Sequence, residues 1–332
     1  MSLGLQTEYP LLVADIGGTN VRFGWVATPG ASLDNIGLFV CANFPGPVEA
    51  THAYLKHHHA GARPARCAIA IATAVTDGPI KLTNSDWVLE RCEFAAAIGA
   101  ASVEIFNDFE AIALGLPALA GSDYQLVGKA LPDRRLPMAV IGPGTGLGVA
   151  GIMPVRGQPG NWQAICGEGG HTTLACNTEY QSQILRAARS YFAHVSAERL
   201  VSGIGLPILR EAVAKVEGYS IDAALGAEEI GTLGTARTDP LCERTMEVFC
   251  EFLGSVAGNL ALTMGARGGV FIAGGIVPKL GDFFAASGFR TQFESKGRYQ
   301  EYLRAISTAV ITAPHPGLLG LVLHAGKPPA AA

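Results

Sequence analysis

A glycine-rich segment near the start of the chain carries residue types suited to binding phosphate. It begins at Asp15 and reads Asp-Ile-Gly-Gly-Thr-Asn. The adjacent Gly17 and Gly18 let the backbone approach an anion closely, so several N–H groups can point at one phosphate. Thr19 adds a hydroxyl donor, and Asp15 could hold Mg²⁺ or a water bound to it. An ordinary hairpin turn explains the glycines but not the polar set that ends at Asn20, so we favour a phosphate-binding turn.

A second glycine-rich segment, Gly142–Gly148, repeats this arrangement in the other half of the chain. Both segments run into predicted strands, since Val21–Ala27 follows the first and Val149–Pro154 follows the second. Rossmann and P-loop glycine motifs run from a strand into a helix instead, so neither nucleotide fingerprint is supported. The two hairpins predict an α/β architecture that is duplicated within the chain and holds a triphosphate from both halves. The candidate phosphate ligands of the second turn are Gly144, Thr145 and Gly146.

A third glycine pair, Gly274 and Gly275, closes the predicted buried strand Gly269–Ala273. Residues without side chains at a strand end leave room for a flat group such as a nucleoside. Close packing of a helix against the strand explains the same two glycines equally well. The residues alone leave both interpretations open.

Asn107 and Asp108 stand between a predicted strand, Ser102–Phe106, and a predicted helix, Phe109–Leu116. A carboxylate at a strand end can accept the proton of an attacking hydroxyl group, as a phosphoryl-transfer enzyme requires. An aspartate is also a favoured helix N-cap, and for Asp108 taken alone that is the simpler interpretation.

Further polar side chains suit the hydroxyl groups of a sugar, each of which can donate and accept a hydrogen bond. The segment Gly167–His171 places Glu168 and His171 among glycines. Because glycines have no side chains to pack, we expect the function of this segment to be the presentation of its two polar side chains. Glu198 supplies another carboxylate, although a solvated residue in the first turn of a helix also explains it. Asn84 lies in a polar segment that a simple turn also explains.

The composition limits the class of protein. The chain has 332 residues, enough for two domains, and 49% of them are hydrophobic. A net charge of −4 without long Lys/Arg runs predicts no binding of nucleic acid. Seven cysteines without a Cys-x-x-Cys pair are typical of reduced thiols in the cytoplasm. The apolar segment Phe252–Ala266 is too short to span a membrane and predicts a buried helix.

Two patterns could suggest a metal site. Cys166, His171 and Cys176 lack the paired cysteines of structural zinc sites, so we do not expect zinc there. The run His57–His59 has no partners at ligand spacing and is expected to lie in a solvated loop.

In this order, the motifs resemble those of the bacterial glucokinase family, within the hexokinase, actin and Hsp70 type of ATPase superfamily. The resemblance extends over nearly the whole chain, from Leu12 to Gly320. Three segments are highly specific to it: Gly-Glu-Gly-Gly-His at 167–171, Val-Ser-Ala-Glu-Arg at 195–199, and Gly-Gly-Val-Phe-Ile-Ala-Gly-Gly-Ile-Val-Pro at 268–278. The resemblance implies an enzyme that transfers the γ-phosphate of ATP to the 6-hydroxyl of glucose, giving glucose 6-phosphate and ADP.

The resemblance also implies a fold and an assembly. The fold is a duplicated actin-like (ribonuclease H-like) α/β ATPase, with two lobes around a central cleft that closes to expel water. The small lobe comprises residues 1–117 plus 314–332, and the large lobe comprises 118–313, with the boundary in a loop-like stretch, Ala118–Pro137. The implied ligands are a sugar, ATP and Mg²⁺, and the implied assembly is a homodimer.

Roles for individual residues follow from the same resemblance. Asp108 matches the catalytic base, which places this role above that of a helix cap alone. The sugar-binding residues are matched by Asn107, Asp108, Glu168, His171 and Glu198. The phosphate loops are matched by Asp15, Gly17, Gly18 and Thr19 and by Gly144, Thr145 and Gly146, and the adenosine segment by Gly274 and Gly275.

The sequence departs from the family pattern in one loop. Ala74 stands where family members usually have a proline, so a loop near the sugar could differ in conformation. The cysteine-rich zinc motif of a related group of repressors and kinases is missing, which indicates the zinc-free branch.

Other functions compete with a glucokinase. A kinase for mannose, fructose or an N-acylated hexosamine, or one that uses polyphosphate, would share these motifs. A sugar-responsive repressor needs an N-terminal helix-turn-helix, for which we expect no room in the ten residues before the first strand. An actin-like filament has no need for Glu168 and His171.

Overall fold

The computed structural model describes residues 8–76, 78–82, 86–221 and 223–325. Its strands are β1 (Leu11–Ile16), β2 (Asn20–Val26), β3 (Asp34–Val40), β4 (Arg66–Ile71), β5 (Ile80–Lys81), β6 (Val88–Leu89), β7 (Ser102–Asn107), β8 (Tyr124–Leu126), β9 (Met138–Pro143), β10 (Leu147–Pro154), β11 (Trp162–Cys166), β12 (Gly269–Ile272) and β13 (Thr308–Ile311). Its helices are α1 (Pro47–His59), α2 (Arg91–Ile98), α3 (Asp108–Gly115), α4 (Glu179–Ala188), α5 (Leu206–Glu217), α6 (Ala227–Thr235), α7 (Pro240–Met264), α8 (Val277–Leu280), α9 (Asp282–Ala286), α10 (Phe289–Glu294), α11 (Gln300–Arg304) and α12 (Pro316–Ala325). The chain divides into two compact units, Met1–Ala118 with Pro314–Ala332, and Leu119–Ala313.

The first unit is built on a sheet with the strand order β3-β2-β1-β4-β7. β1, β2 and β3 pair antiparallel, whereas β1, β4 and β7 are parallel. The sequences of β1 and β4 are nearly continuous apolar runs, as expected of strands covered on both faces. Leu12 and Ile16 of β1 belong to the same core as Tyr54 of α1, and α12 packs against β1, β4 and α3. This packing fixes the edge of the sheet where β1, β4 and β7 end.

The sheet of the second unit repeats this order. It runs β11-β10-β9-β12-β13-β8, in which β9, β10 and β11 pair antiparallel while β9, β12 and β13 are parallel. The first five strands correspond one by one to those of the first sheet. The predicted duplicated α/β fold is therefore confirmed.

The long helix α7 forms the centre of the core in the second unit. Asp239 caps it by accepting a hydrogen bond from the N–H of Cys242 at 2.7 Å, and it ends at Gly265 with a left-handed φ of 61°. Phe252 and Leu253 are completely buried, which confirms the prediction of a buried helix. Among the described residues, no helix has both the length and the apolar character to cross a membrane.

Two expectations about local structure are wrong. The stretch 118–137 is not only a loop, because it contains β8, which pairs with β13 and extends the second sheet. The histidines His57–His59 form the last turn of α1 rather than a solvated loop. The His59 ring stacks on Trp25 with centroids 4.3 Å apart, which gives this turn a packing partner that local sequence does not reveal.

Candidate active site

The first glycine segment forms the turn between β1 and β2, from strand to strand as predicted. The N–H of Gly17 donates to the carbonyl of Asn20 at 2.9 Å, and the side chain of Thr19 is exposed. Cys41 supports the turn through two hydrogen bonds. Its N–H donates to the Thr19 carbonyl at 2.8 Å, and its thiol donates to the Gly17 carbonyl at 3.6 Å. The carbonyls of the turn are thus engaged within the protein, and its exposed outer side can receive an anion.

Asp15 lies at the end of β1, next to this turn. Its Oδ2 is 3.7 Å from Nη1 of Arg22 on β2, and 28% of its side chain remains exposed. Burial raises the pKa of Asp15, and the charges of Arg22 and His315 oppose that rise. His315 precedes α12 and has a left-handed φ of 52°. A carboxylate that retains some exposure can bind a cation beside a phosphate.

Asn107 and Asp108 lie at the same edge of the sheet as the turn. Ile16 of β1 is in register with Ile71 of β4, and Ile71 is in register with Asn107 of β7. Asp108, the residue after Asn107, is the first residue of α3. Because the carboxyl ends of parallel strands meet at one edge, the fold gathers Asp108 and the turn on that edge, with β4 between them.

The helix cap of α3 is Asn107, not Asp108. Asn107 Oδ1 accepts hydrogen bonds from the N–H groups of Phe109 at 2.9 Å and Glu110 at 3.3 Å, and Glu110 closes a capping box. Asp108 Oδ1 accepts a hydrogen bond from the N–H of its neighbour Phe109 at 2.9 Å. The N-cap interpretation of Asp108 is therefore wrong by one position, since Asn107 is the residue that caps α3.

In the second unit, three predicted sugar-binding side chains lie in a row. His171 Nε2 is 4.0 Å from Glu168 Oε2, and His171 Nδ1 is 3.8 Å from Glu198 Oε1. Glu168 and His171 are 68% and 57% exposed, whereas Glu198 is 18% exposed. Gly170 makes the row possible, because a Cβ there would lie 2.0 Å from the carbonyl oxygen of Leu147. The row therefore combines acceptors and an imidazole in a form that suits hydroxyl groups.

The second glycine segment forms the turn between β9 and β10, again from strand to strand. The N–H of Gly144 donates to the carbonyl of Gly146 at 2.8 Å. Gly203 and Ile204 support the turn through their N–H groups, which donate to the carbonyls of Gly144 and Thr145 at 2.8 and 3.2 Å. Sequence reasoning missed this supporting segment, because it lies almost sixty positions further along the chain.

A cavity of about 330 Å³ opens beside this turn within the second unit. It brings Gly144 and Thr145 together with Gly275. Gly274 does not line it; a Cβ at Gly274 would lie 2.4 Å from the carbonyl oxygen of Pro143. Gly274 thus allows close approach to the end of strand β9, whereas Gly275 leaves open space; the role of the pair at a nucleoside stays a prediction. The remaining lining residues are Gly203, Leu206, Ala227, Glu228, Gly231, Thr232, Thr235, Ile276, Lys279 and Leu280.

Helix α6 forms a wall of this cavity that sequence reasoning missed. Gly231 leaves open space, since a Cβ there would meet nothing within 4 Å. Glu228 on the same helix lies 3.4 Å from Lys279 on α8. The only available signal was the small and hydroxyl-bearing side chains in α6, a pattern that many exposed helices share.

Comparison with known proteins shows which family the chain belongs to. The sequence model of the family described as glucokinase matches residues 12–327. The chain belongs to the glucokinase family. Its relatives include a glucokinase of Paramagnetospirillum magneticum, 44% identical over 94% of this chain and 96% of the relative, and one of Aromatoleum aromaticum, 43% identical over 96% of each. The crystal structure of a glucokinase from an Antarctic psychrotroph superposes with a TM-score of 0.86 at 33% identity, covering 95% of this chain and 98% of the other.

Two further positions named from the sequence are Asn84 and Ala74. Asn84 lies outside the described residues, so its predicted role stays a prediction. Ala74, the departure from the family pattern, is exposed. It directly follows Thr73, whose carbonyl accepts a hydrogen bond from the Asn107 side-chain amide at 3.3 Å. The loop is thus tied to the cap of α3.

Proposed function

We propose that the protein transfers the γ-phosphoryl group of ATP to the 6-hydroxyl group of glucose, giving glucose 6-phosphate and ADP. The observation that carries the proposal is the shared edge of β1, β4 and β7, where Asp108 and the Gly17–Thr19 turn end up two strands apart. Two strand spacings correspond to roughly 10 Å. A general base for a hydroxyl group and a holder for the transferred phosphate need a separation of this order.

Asp108 acts as the general base in this proposal. It accepts the proton of the 6-hydroxyl as that oxygen attacks the γ-phosphorus, and the bond from the γ-phosphorus to the bridging oxygen of ADP breaks in line. The proton ends on the carboxyl group and the negative charge on ADP. The position of Asp108 at the start of α3, directly after β7, supports this role, because a carboxylate at a strand end can reach the hydroxyl group of a bound substrate.

Glu168, His171, Glu198 and Asn107 bind the hydroxyl groups of the sugar. The carboxylates accept hydrogen bonds, the imidazole can donate or accept, and the Asn107 amide donates. A site built from such groups rejects analogues that lack a hydroxyl, because its own polar atoms are then left unpaired. The row of Glu168, His171 and Glu198 supports this part of the proposal.

The nucleotide binds through the glycine turns and the cavity. A volume of about 330 Å³ lies at the lower end of the range for small-molecule sites and suits an adenosine group. Gly144 and Thr145 line the cavity beside the phosphate turn, so a nucleoside there extends its phosphates toward them. The N–H groups and hydroxyls of both turns, from Gly17 to Asn20 and from Gly144 to Gly146, then bind phosphate oxygens.

The residues present also fit Mg²⁺ as a companion of ATP. Mg²⁺ bound to nucleotides needs only one or two carboxylates in addition to phosphate oxygens and water, and Asp15 offers a partly exposed carboxylate beside the first turn. Asp15 would hold the ion directly or through water, and the bound ion would neutralise charge on the transferred group.

We place the enzyme in the cytoplasm as a homodimer. Cys67, Cys242 and Cys250 are buried thiols, as expected of a reducing compartment. The homodimer rests on the family resemblance, and light scattering of the purified protein at a range of concentrations tests it. A mass of one chain, 34.5 kDa, at all concentrations would contradict it.

A sugar and donor panel tests the function. ADP release from ATP is measured with glucose, mannose, fructose, N-acetylglucosamine or no sugar, and glucose 6-phosphate is detected separately; polyphosphate replaces ATP in a parallel series. We expect the highest kcat/KM with glucose and ATP, and only slow ADP release without sugar. A higher kcat/KM for another hexose, or for polyphosphate as donor, would replace the proposal by that alternative.

A further inference from the structure

The two carboxylate oxygens of Glu198 face two different parts of the second unit. Oε2 accepts a hydrogen bond from the N–H of Leu147 at 3.0 Å, and Leu147 directly follows the Gly144–Gly146 turn. Oε1 lies 3.8 Å from Nδ1 of His171. One carboxylate therefore holds the end of the Gly144–Gly146 turn, which we call the phosphate turn. The same carboxylate lies beside His171, in the row of Glu168, His171 and Glu198 that we call the sugar row.

Gly146 fits against the same carboxylate. A Cβ at Gly146 would lie 2.5 Å from Glu198 Oε2, well inside contact distance. A carboxylate at the end of a flexible side chain moves more cheaply than backbone does. A methyl group at Gly146 would therefore displace the Glu198 carboxylate rather than unfold the turn.

The backbone around Glu198 makes the same connection. The N–H of Glu198 donates to the carbonyl of Gly170, next to His171, at 2.9 Å. Five residues later, the N–H of Gly203 donates to the carbonyl of Gly144 in the phosphate turn at 2.8 Å. Residues 198–204 thus link the turn that carries the sugar row to the turn that carries the phosphate.

We propose that Glu198 is a positioning residue for the phosphate turn as well as a sugar ligand, so that the Glu198 carboxylate couples sugar binding to nucleotide binding. The inference rests on the proposed function for the identity of the two ligands. A ligand that orders the Glu198 carboxylate also orders the N–H of Leu147 and the end of the turn. By linkage, the effect on affinity is the same in both directions.

Glucose binding without nucleotide provides the first test. Calorimetry compares the wild type, Gly146→Ala and the control Gly121→Ala, because Gly121 lies outside both proposed sites and a Cβ there meets nothing within 4 Å. We expect Gly146→Ala to weaken glucose binding about tenfold, within the usual range of coupling between two sites, and Gly121→Ala to change it less than about twofold. Equal glucose affinity of Gly146→Ala and wild type would overturn the inference. A wild type that binds no glucose would instead contradict the proposed function.

The KM for ATP at saturating glucose provides the second test. Glu198→Ala removes the acceptor for Leu147, whereas Glu198→Gln keeps an oxygen for it while removing the charge and replacing the other oxygen by an amide donor. We expect the KM for ATP to rise about tenfold in Glu198→Ala and less than about threefold in Glu198→Gln. An unchanged KM for ATP in Glu198→Ala, or an equal rise in both variants, contradicts a positioning role. The KM values of the two Glu198 variants also test the positioning role of Glu198 if Gly146→Ala does not fold.

Discussion

The side-chain amide of Asn107 donates a hydrogen bond to the carbonyl of Thr73 at 3.3 Å. Its oxygen meanwhile caps α3 by accepting from Phe109 and Glu110. An asparagine amide has two N–H donors and an oxygen that can accept two hydrogen bonds. Only one N–H of Asn107 therefore remains for a sugar, and the loop before Ala74 and the helix that begins with Asp108 share a single anchor.

The variant Asn107→Asp separates two functions of the Asn107 side chain: its oxygen caps α3, and its amide donates hydrogen bonds. Aspartate caps helices as well as asparagine does, so we expect the free energy of unfolding to change by less than about 1 kcal/mol. It cannot donate to Thr73 or to a sugar, so the KM for glucose should rise about tenfold or more. Urea denaturation and steady-state kinetics measure the two effects. Asn107→Ala, which also loses the cap, should be less stable by a further ~1 kcal/mol. An unchanged KM in Asn107→Asp would exclude Asn107 from the sugar site.

Two glycines of the segment Gly167–His171 should differ sharply when changed to alanine. A Cβ at Gly170 would lie 2.0 Å from the backbone oxygen of Leu147, which cannot move cheaply, whereas a Cβ at Gly167 meets nothing within 4 Å. We expect Gly170→Ala to lower the free energy of unfolding by about 1–3 kcal/mol and to impair glucose phosphorylation. Gly167→Ala should stay within about 0.5 kcal/mol of wild type. Equal stability of the two variants would show that the turn relaxes freely.

The stability of the protein should fall in acid partly through Glu104. His324 of α12, whose Nε2 lies 3.7 Å from Glu104 Oε2, together with Arg66 lowers the pKa of Glu104 to about 2. A carboxyl group with a lowered pKa in the folded state adds stability above its unfolded pKa of about 4.5, and this stability is lost as the pH falls from there toward 2. Because 36% of the side chain is exposed, solvent screening reduces the effect to about 1 kcal/mol. Denaturation of wild type and Glu104→Gln at pH 6 and pH 3 measures it: the difference between them should shrink in acid, and a constant difference would refute it.

A larger side chain in the cavity beside α6 should weaken the binding of ATP. Gly231 lines the cavity and a Cβ there meets nothing within 4 Å, so a leucine side chain begins in open space and extends into the cavity, and leucine also improves helix propensity. We expect Gly231→Leu to raise the KM for ATP about tenfold or more while the KM for glucose and the stability stay near wild type. Glu229→Leu, on an exposed part of the same helix, is the matched control. An unchanged KM for ATP in Gly231→Leu would move the nucleotide out of this cavity.

The hairpins and the duplication could be predicted because their signals are local. Glycine-rich segments between apolar runs define the β1–β2 and β9–β10 turns, and the strand-to-strand context excluded two common nucleotide folds. Asn107 and Asp108 were placed correctly at the end of β7 for the same reason. Which of the two caps α3 could not be decided, since both residue types favour that position and only the tertiary contact with Thr73 orients Asn107.

The parts that could not be predicted depend on contacts between distant residues. Glu198 reaches Leu147 across 51 positions, and nothing in the local sequence indicates that its carboxylate supports a glycine turn. The wall formed by α6 depends on where that helix packs rather than on its pattern. The last turn of α1 required the ring of Trp25, which is more than thirty positions away from His59.

The turnover of Asp108→Asn, measured together with its glucose affinity, tests the central claim most directly. Asparagine has nearly the same shape and keeps an oxygen for the N–H of Phe109, but it cannot accept the proton of the 6-hydroxyl. We predict a kcat lower by about 10²–10⁴ with a glucose dissociation constant within a few-fold of wild type. A kcat close to that of wild type in a folded, glucose-binding variant would contradict the assignment of Asp108 as the general base.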